Sequence, residues 1–208
     1  MTRFRCYLLL AAILICCLVT TACDNTASVP PLTSDATILA FGDSLTYGTG
    51  AAEAESYPAV LARLTGHRVV NAGVPGEISA TGVQRLPEML DRERPALLIL
   101  CHGGNDLLNR LDQRQMADNL RTMIKAARER GVAVVLVAVP SLGITLKPPP
   151  LYQELATEFS IPIESKALPR ILGKRSLKSD QIHPNAAGYR LLAEALDELL
   201  KRSGALPR

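Results

Sequence analysis

Three short strings set far apart in this chain carry side chains fit for acyl-transfer chemistry. They read Phe-Gly-Asp-Ser-Leu-Thr at 41–46, Gly-Gly-Asn-Asp at 103–106 and Asp-Gln-Ile-His-Pro at 180–184. Ser44 offers an alcohol that can attack a carbonyl, and Asn105 an amide that can donate a hydrogen bond to an oxyanion. His183 offers an imidazole three residues after the carboxylate of Asp180. That spacing lets the carboxylate turn back onto Nδ1 and leaves Nε2 free to take the serine proton. The chain's histidines are His67, His102 and His183, so few side chains can act as a base near neutral pH.

Each string alone is ordinary. Gly-Asp-Ser after a strand is commonly a turn with a helix cap, Gly-Gly-Asn-Asp consists of turn formers, and an isolated Asp-x-x-His is commonly a solvated loop. Their presence together, with the Asp-His pair directly before Pro184 and a terminal helix, favours one shared site.

For these residues to meet, the strings must leave the fold at a common edge. Short apolar runs at 37–41, 68–70, 96–101, 132–139 and 161–163 predict strands, and those at 96–101 and 132–139 are continuously apolar, as strands covered on both faces are. Helical patterns occupy 58–64, 81–90, 113–130, 151–159 and 185–202, with Gly66 and Gly131 placed as C-terminal caps. The third pattern lines up Met116, Leu120, Met123, Ile124 and Ala127, and the last lines up Leu191, Leu192, Leu196, Leu199 and Leu200. This alternation predicts an α/β fold, a three-layer doubly wound sandwich of about five parallel strands. Ligands of such sheets sit beyond the carboxyl ends of the strands, where 42–44, 71–73 and 103–106 converge. Ser44 is expected at a helix N-terminus, where backbone amides and the helix dipole favour developing negative charge.

Taken in order, the strings resemble the blocks of the GDSL or SGNH hydrolases, which contribute a Ser, a Gly, an Asn and a His. The resemblance covers roughly residues 39–196. Val-Asn-Ala-Gly-Val-Pro-Gly at 70–76, with Gly-Gly-Asn-Asp, is most similar to the small bacterial arylesterase, lysophospholipase and thioesterase group. It implies Ser44 as nucleophile, His183 as base and Asp180 as its orienter. It further implies an oxyanion hole made by the backbone amides of Ser44 and Gly73 and the side chain of Asn105, with no cofactor and no metal. The implied activity is hydrolysis of carboxylic esters, and of thioesters, through an acyl-Ser44 intermediate. A glycan O-deacetylase and a non-catalytic ligand-binding lipoprotein of flavodoxin-like shape are the alternatives. The α/β-hydrolase fold would need a Gly-x-Ser-x-Gly elbow, which the chain lacks. His102 departs from the family pattern in preceding Gly103, and its expected role is a ring packed at a strand end. His67 is expected at the surface. The segment 141–151, with Leu142, Ile144, Leu146 and three consecutive prolines, is expected to line an acyl or alcohol pocket.

Residues 1–23 read as a leader: Arg3 and Arg5, an apolar run, then Thr20-Thr21-Ala22 before Cys23. The small residue before Cys23 resembles a bacterial lipoprotein signal, in which the cysteine is acylated, although Thr20 stands where that signal prefers Leu. An uncleaved anchor is the alternative reading of the same run, and either leaves the domain extracytoplasmic. Residues 24–35 have linker composition, with an r.m.s. span of roughly 20 Å that lets the catalytic face work close to the bilayer. The esterase domain is then 36–208, a monomer acting on small-molecule or lipid esters and attached to the membrane through its N-terminal lipid. Loss of Arg3 and Arg5 removes two of the three net positive charges, so nothing suggests a nucleic-acid partner. Cys6, Cys16 and Cys17 lie in the leader, which leaves Cys101 unpaired in an apolar run and therefore expected as a buried, structural thiol.

Overall fold

Residues Leu97–Cys101 form a strand, β3, in which every side chain is buried, an arrangement open only to a strand covered on both faces. The computed structural model describes residues 27–143 and 145–207. Beside β3 lie β1 (Thr37–Gly42), β2 (Arg68–Gly73), β4 (Ala133–Val137) and β5 (Ile163–Glu164), all parallel, in the order β2-β1-β3-β4-β5. Gly42 stands level with Gly73 on one side and with Cys101 on the other. The three loops that follow therefore leave the sheet at one height. The chain steps from β1 to β2 on one side and then to β3 on the other, so the crevice opens where the winding reverses.

Eight α-helices and two 3-10 turns complete the described fold; the α-helices are α1 (Ser44–Tyr47), α2 (Tyr57–Thr65), α3 (Ser79–Glu93), α4 (Gly104–Leu108), α5 (Gln113–Glu129), α6 (Leu151–Phe159), α7 (Ala167–Leu172) and α8 (Ala186–Arg202). α2, α7 and α8 pack together on one face, and α3, α5 and α6 on the other. The apolar stripe of α5 is buried as its periodicity predicts.

Departures from the sequence expectations have physical causes. β2 runs three residues further, to Gly73, because its pairing with β1 continues through the polar Asn71, which an apolar pattern does not flag. β5 begins at Ile163 rather than 161 and is only two residues long, held by pairing to Leu136 and Val137. β4 ends at Val137, yet Ala138 and Val139 stay buried beyond it. α1, α4 and α7 are too short to show a helical period.

The segment read as a linker is partly tied down. The Val29 amide donates to the Ser203 carbonyl at 2.8 Å and the Leu32 amide to the Ala205 carbonyl at 2.9 Å, while the Val29 side chain is buried in the core. Apolar side chains at 29 and 32 find cover against the end of α8, so this stretch does not move as a free tether. Cys23 lies outside the described residues. Among the described residues no helix is long and apolar enough to cross a membrane. Cys101 is buried and free, and burial pushes its thiol well above the ordinary range, which makes it unreactive.

Candidate active site

Ser44 sits where β1 ends. Asp43 caps α1, its Oδ1 accepting the Leu45 amide at 3.0 Å, and Gly48 closes the single turn at φ 101°. As the first residue of the turn, Ser44 has an amide that the helix does not use. One turn carries little dipole, so the local contribution to anion binding is this N–H. Below it, the Thr46 hydroxyl and the Tyr57 hydroxyl are hydrogen-bonded at 3.1 Å, which fixes α1 onto α2. Burial pushes the Asp43 carboxyl up, and its Oδ2 lies against Gly104 without a hydrogen-bond partner among the described residues.

His183 comes from the loop before α8. Its Nε2 lies 2.9 Å from Ser44 Oγ, and its Nδ1 lies 2.7 Å from Asp180 Oδ2. The other oxygen of Asp180 accepts the amides of Ile182 and His183, both at 2.8 Å. The carboxylate thus shapes the loop and the ring together, and accepts a hydrogen bond from Nδ1–H, which keeps the proton on Nδ1 so that Nε2 presents a lone pair to the serine hydroxyl. Partial burial raises the Asp180 pKa, but the hydrogen bonds from the ring and the two amides outweigh it and hold the carboxyl below the ordinary range. The loop is closed by the Ser179 amide donating to the His183 carbonyl at 3.0 Å and the Asn185 amide donating to the Leu177 carbonyl at 3.0 Å.

Asn105 follows β3 at the start of α4. Its Nδ2 donates to the Glu77 carbonyl at 3.0 Å, which leaves the second N–H of the same amide unused, and Asn105 lines the cleft beside Ser44 and His183. The structure thus gathers Ser44, Asn105, Asp180 and His183 at one rim. Gly73 is not free to join them. Its amide donates to Asn71 Oδ1 at 3.0 Å, because the Asn71 side chain folds back over the end of β2. The adjoining turn offers a different amide. The Glu77 N–H closes onto the Val74 carbonyl at 3.1 Å, with Pro75 and Gly76 at the turn's centre and Gly76 at φ 80°. Gly76 N–H makes no hydrogen bond among the described residues, and a Cβ at this position would meet nothing within 4 Å, so the turn is uncrowded here. The signal was in the sequence: a Pro-Gly dipeptide marks a turn whose third residue takes positive φ.

Behind that turn, Glu77 is buried. Arg85 grips its carboxylate through Nε at 2.8 Å and Nη2 at 2.7 Å, and His102 Nε2 lies 3.0 Å away. Burial pushes the Glu77 carboxyl up, yet the hydrogen bonds from His102 and Arg85 prevail and bring it from the usual 4.5 to about 2. A carboxyl depressed in this way stabilises the fold fully above its unfolded pKa, and the stabilisation disappears as pH falls from about 4.5 towards 2. Chemical denaturation at pH 5 and pH 3 should therefore show a smaller acid loss in Glu77→Gln than in the natural chain. Equal losses would place the acid-sensitive group elsewhere.

The cleft is a shallow groove open to solvent on one side. Around Ser44 and His183 its wall is apolar: Leu45, Leu108, Val139, Pro140, Leu142, Leu172 and Ile182. Of the three leucine and isoleucine side chains expected to line a pocket, Leu142 does so. Leu146 is not in the wall and instead comes close to Gly173 at the end of α7, and Ile144 lies outside the described residues. Leu172 and Ile182 escaped the sequence reading because tertiary packing alone brings α7 and the histidine loop to this rim. His67 places its ring nitrogens 3.1 Å from the carbonyls of Thr65 and Thr33, away from the site. Among the described residues no cluster of His, Cys, Asp or Glu is arranged to hold a metal ion.

Comparison with known proteins agrees with this geometry. Residues 40–191 match the model of the GDSL-like lipase/acylhydrolase family. The chain is 38% identical over 117 residues to the esterase TesA of Pseudomonas aeruginosa, a match spanning 54% of this chain and 56% of that one. It is 28% identical over 173 residues to the thioesterase 1/protease 1/lysophospholipase L1 of Escherichia coli, covering 79% of this chain and 83% of that one. A crystal structure of TesA superposes with a TM-score of 0.72 at 29% identity, over 80% of this chain and 99% of that one. With a family match across most of its length and a serine, an asparagine and a histidine meeting at the rim of a doubly wound sheet, this chain belongs to the GDSL-like lipase/acylhydrolase family.

Proposed function

We propose that this chain is a serine esterase that cleaves carboxylic esters through an acyl-Ser44 intermediate. The observation that carries the reading is the continuous line Ser44 Oγ to His183 Nε2 to Asp180, at 2.9 and 2.7 Å. His183 takes the Ser44 proton as the hydroxyl attacks the ester carbonyl, and returns it to the departing alcohol. Water, activated by the same ring, then releases the acid and restores the serine. The amides of Ser44 and Gly76 and the side chain of Asn105 hold the oxyanion, with Gly76 taking the part that the sequence pattern gave to Gly73. The apolar cleft wall accepts the acyl chain or the alcohol, which suits aryl, lysophospholipid and thioester substrates. A fluorophosphonate should form an adduct that peptide mass mapping assigns to Ser44. A folded protein that stays unlabelled would favour a binding protein over an esterase.

The N-terminal pattern supports a lipid-anchored, extracytoplasmic protein acylated on Cys23. Under that reading the tether is short, since Val29 is already fixed to the end of α8. α8 has 17 residues and His183 precedes its other end, so the catalytic rim lies about 25 Å from the tether's exit. The anchored enzyme would then take its ester from the aqueous side or from a neighbouring surface more readily than from the leaflet holding its own lipid. Metabolic labelling with palmitate should vanish in Cys23→Ser, and persistent labelling would end this reading.

A further inference from the structure

Glu77, Arg85 and His102 form a buried polar cluster that the acyl-transfer steps leave unused. The ring of His102 is inaccessible to solvent. Its Nδ1 accepts the Gly103 amide at 2.9 Å, so Nε2 carries the proton and donates it to Glu77 Oε1. Arg85, besides gripping Glu77, donates through Nη2 to the Ala72 carbonyl at 3.0 Å and lies 4.1 Å above the ring of Phe41. Packing is tight enough that a Cβ on Gly82 would come within 2.5 Å of His102 Nε2. The carboxylate of Glu77 is thereby bolted to β1, β2 and the start of the Asn105 loop at once.

We propose that Glu77, braced by Arg85 and His102, is a positioning residue that aims the Asn105 amide at the oxyanion. The inference rests on the esterase reading above and adds a residue to it. The Asn105 side chain is a planar amide, so fixing one N–H on the Glu77 carbonyl fixes the direction of the other. The carbonyl can serve only if the Glu77 backbone stays in place. Its own side chain helps to secure that, alongside the Val74 amide, which donates to the Gly42 carbonyl at 3.0 Å. An oxyanion donor acts most strongly in the transition state, so loosening it lowers kcat and leaves KM nearly unchanged.

A double-mutant cycle separates this role from general support of the fold. Glu77→Leu should lower kcat on a p-nitrophenyl ester by about 10- to 100-fold, the scale of a small misplacement at a reacting centre. Glu77→Leu combined with Asn105→Ala should be no slower than Asn105→Ala alone, because Glu77→Leu acts by misaiming the amide that Asn105→Ala removes. Losses that multiply, a change confined to KM, or an unchanged kcat in Glu77→Leu would each overturn the proposal. Should Glu77→Leu fail to fold, Glu77→Gln keeps the shape and an acceptor oxygen. Its smaller loss should vanish in the same way on the Asn105→Ala background, and a multiplying loss would overturn the proposal there too. Ser44→Ala run alongside distinguishes the failures. If it retains turnover the esterase reading itself falls, whereas an inactive Ser44→Ala with multiplying losses removes only the positioning role.

Discussion

Ser44→Ala should lower ester turnover by about 10⁶-fold while the protein keeps its fold, the scale seen when a serine hydrolase loses its nucleophile. The fold should persist because Ser44 supplies no cap and no core contact, and the capping oxygen of α1 belongs to Asp43. The residual rate would come from binding and the oxyanion donors alone. Since Ser44 and His183 act as one unit across 2.9 Å, Ser44→Ala/His183→Ala should be no slower than either single variant. Steady-state kinetics with p-nitrophenyl acetate, with circular dichroism as the check on folding, reads both effects. Turnover within about tenfold of the natural chain, far outside what loss of a nucleophile allows, would assign the attack to another group.

Asn105→Ala should cost about 10²- to 10³-fold in kcat with little change in KM, the loss typical of one oxyanion donor. Its chemical effect should exceed its structural one. Removing the side chain leaves the Glu77 carbonyl without its side-chain partner, worth about 1 kcal/mol of stability. The same amide aligns with a charge that develops only as the carbonyl becomes tetrahedral. A variant with natural kcat and a raised KM would show that Asn105 binds ground-state substrate instead.

Much of this site was legible before any coordinates. Ser44, Asn105, Asp180 and His183 each stand in a string of fixed local chemistry, and the Asp180–His183 contact is a three-residue turn that the backbone makes by itself. Gly73 was misread because its amide is taken by a local side chain, Asn71, while the open amide lies three residues on at Gly76. His102 was read as a packed ring, and it is packed, but its hydrogen bond to Glu77 spans 25 residues of sequence and has no local signature.

What the chain alone determined were the elements with a strong period: the continuously apolar strands, the amphipathic helices α5 and α8, and their alternation into a parallel sheet. Those follow from hydrophobic burial, which acts residue by residue and leaves its pattern in the order of the letters. The tertiary structure alone decided the 2.9 Å approach across 139 residues between Ser44 and His183, the apolar wall drawn from α1, α4, α7 and two loops, and the buried Glu77 carboxylate shared by Arg85 and His102. Such contacts depend on strand register and helix packing, which place residues from distant stretches within ångströms of one another. No spacing along one chain encodes that distance.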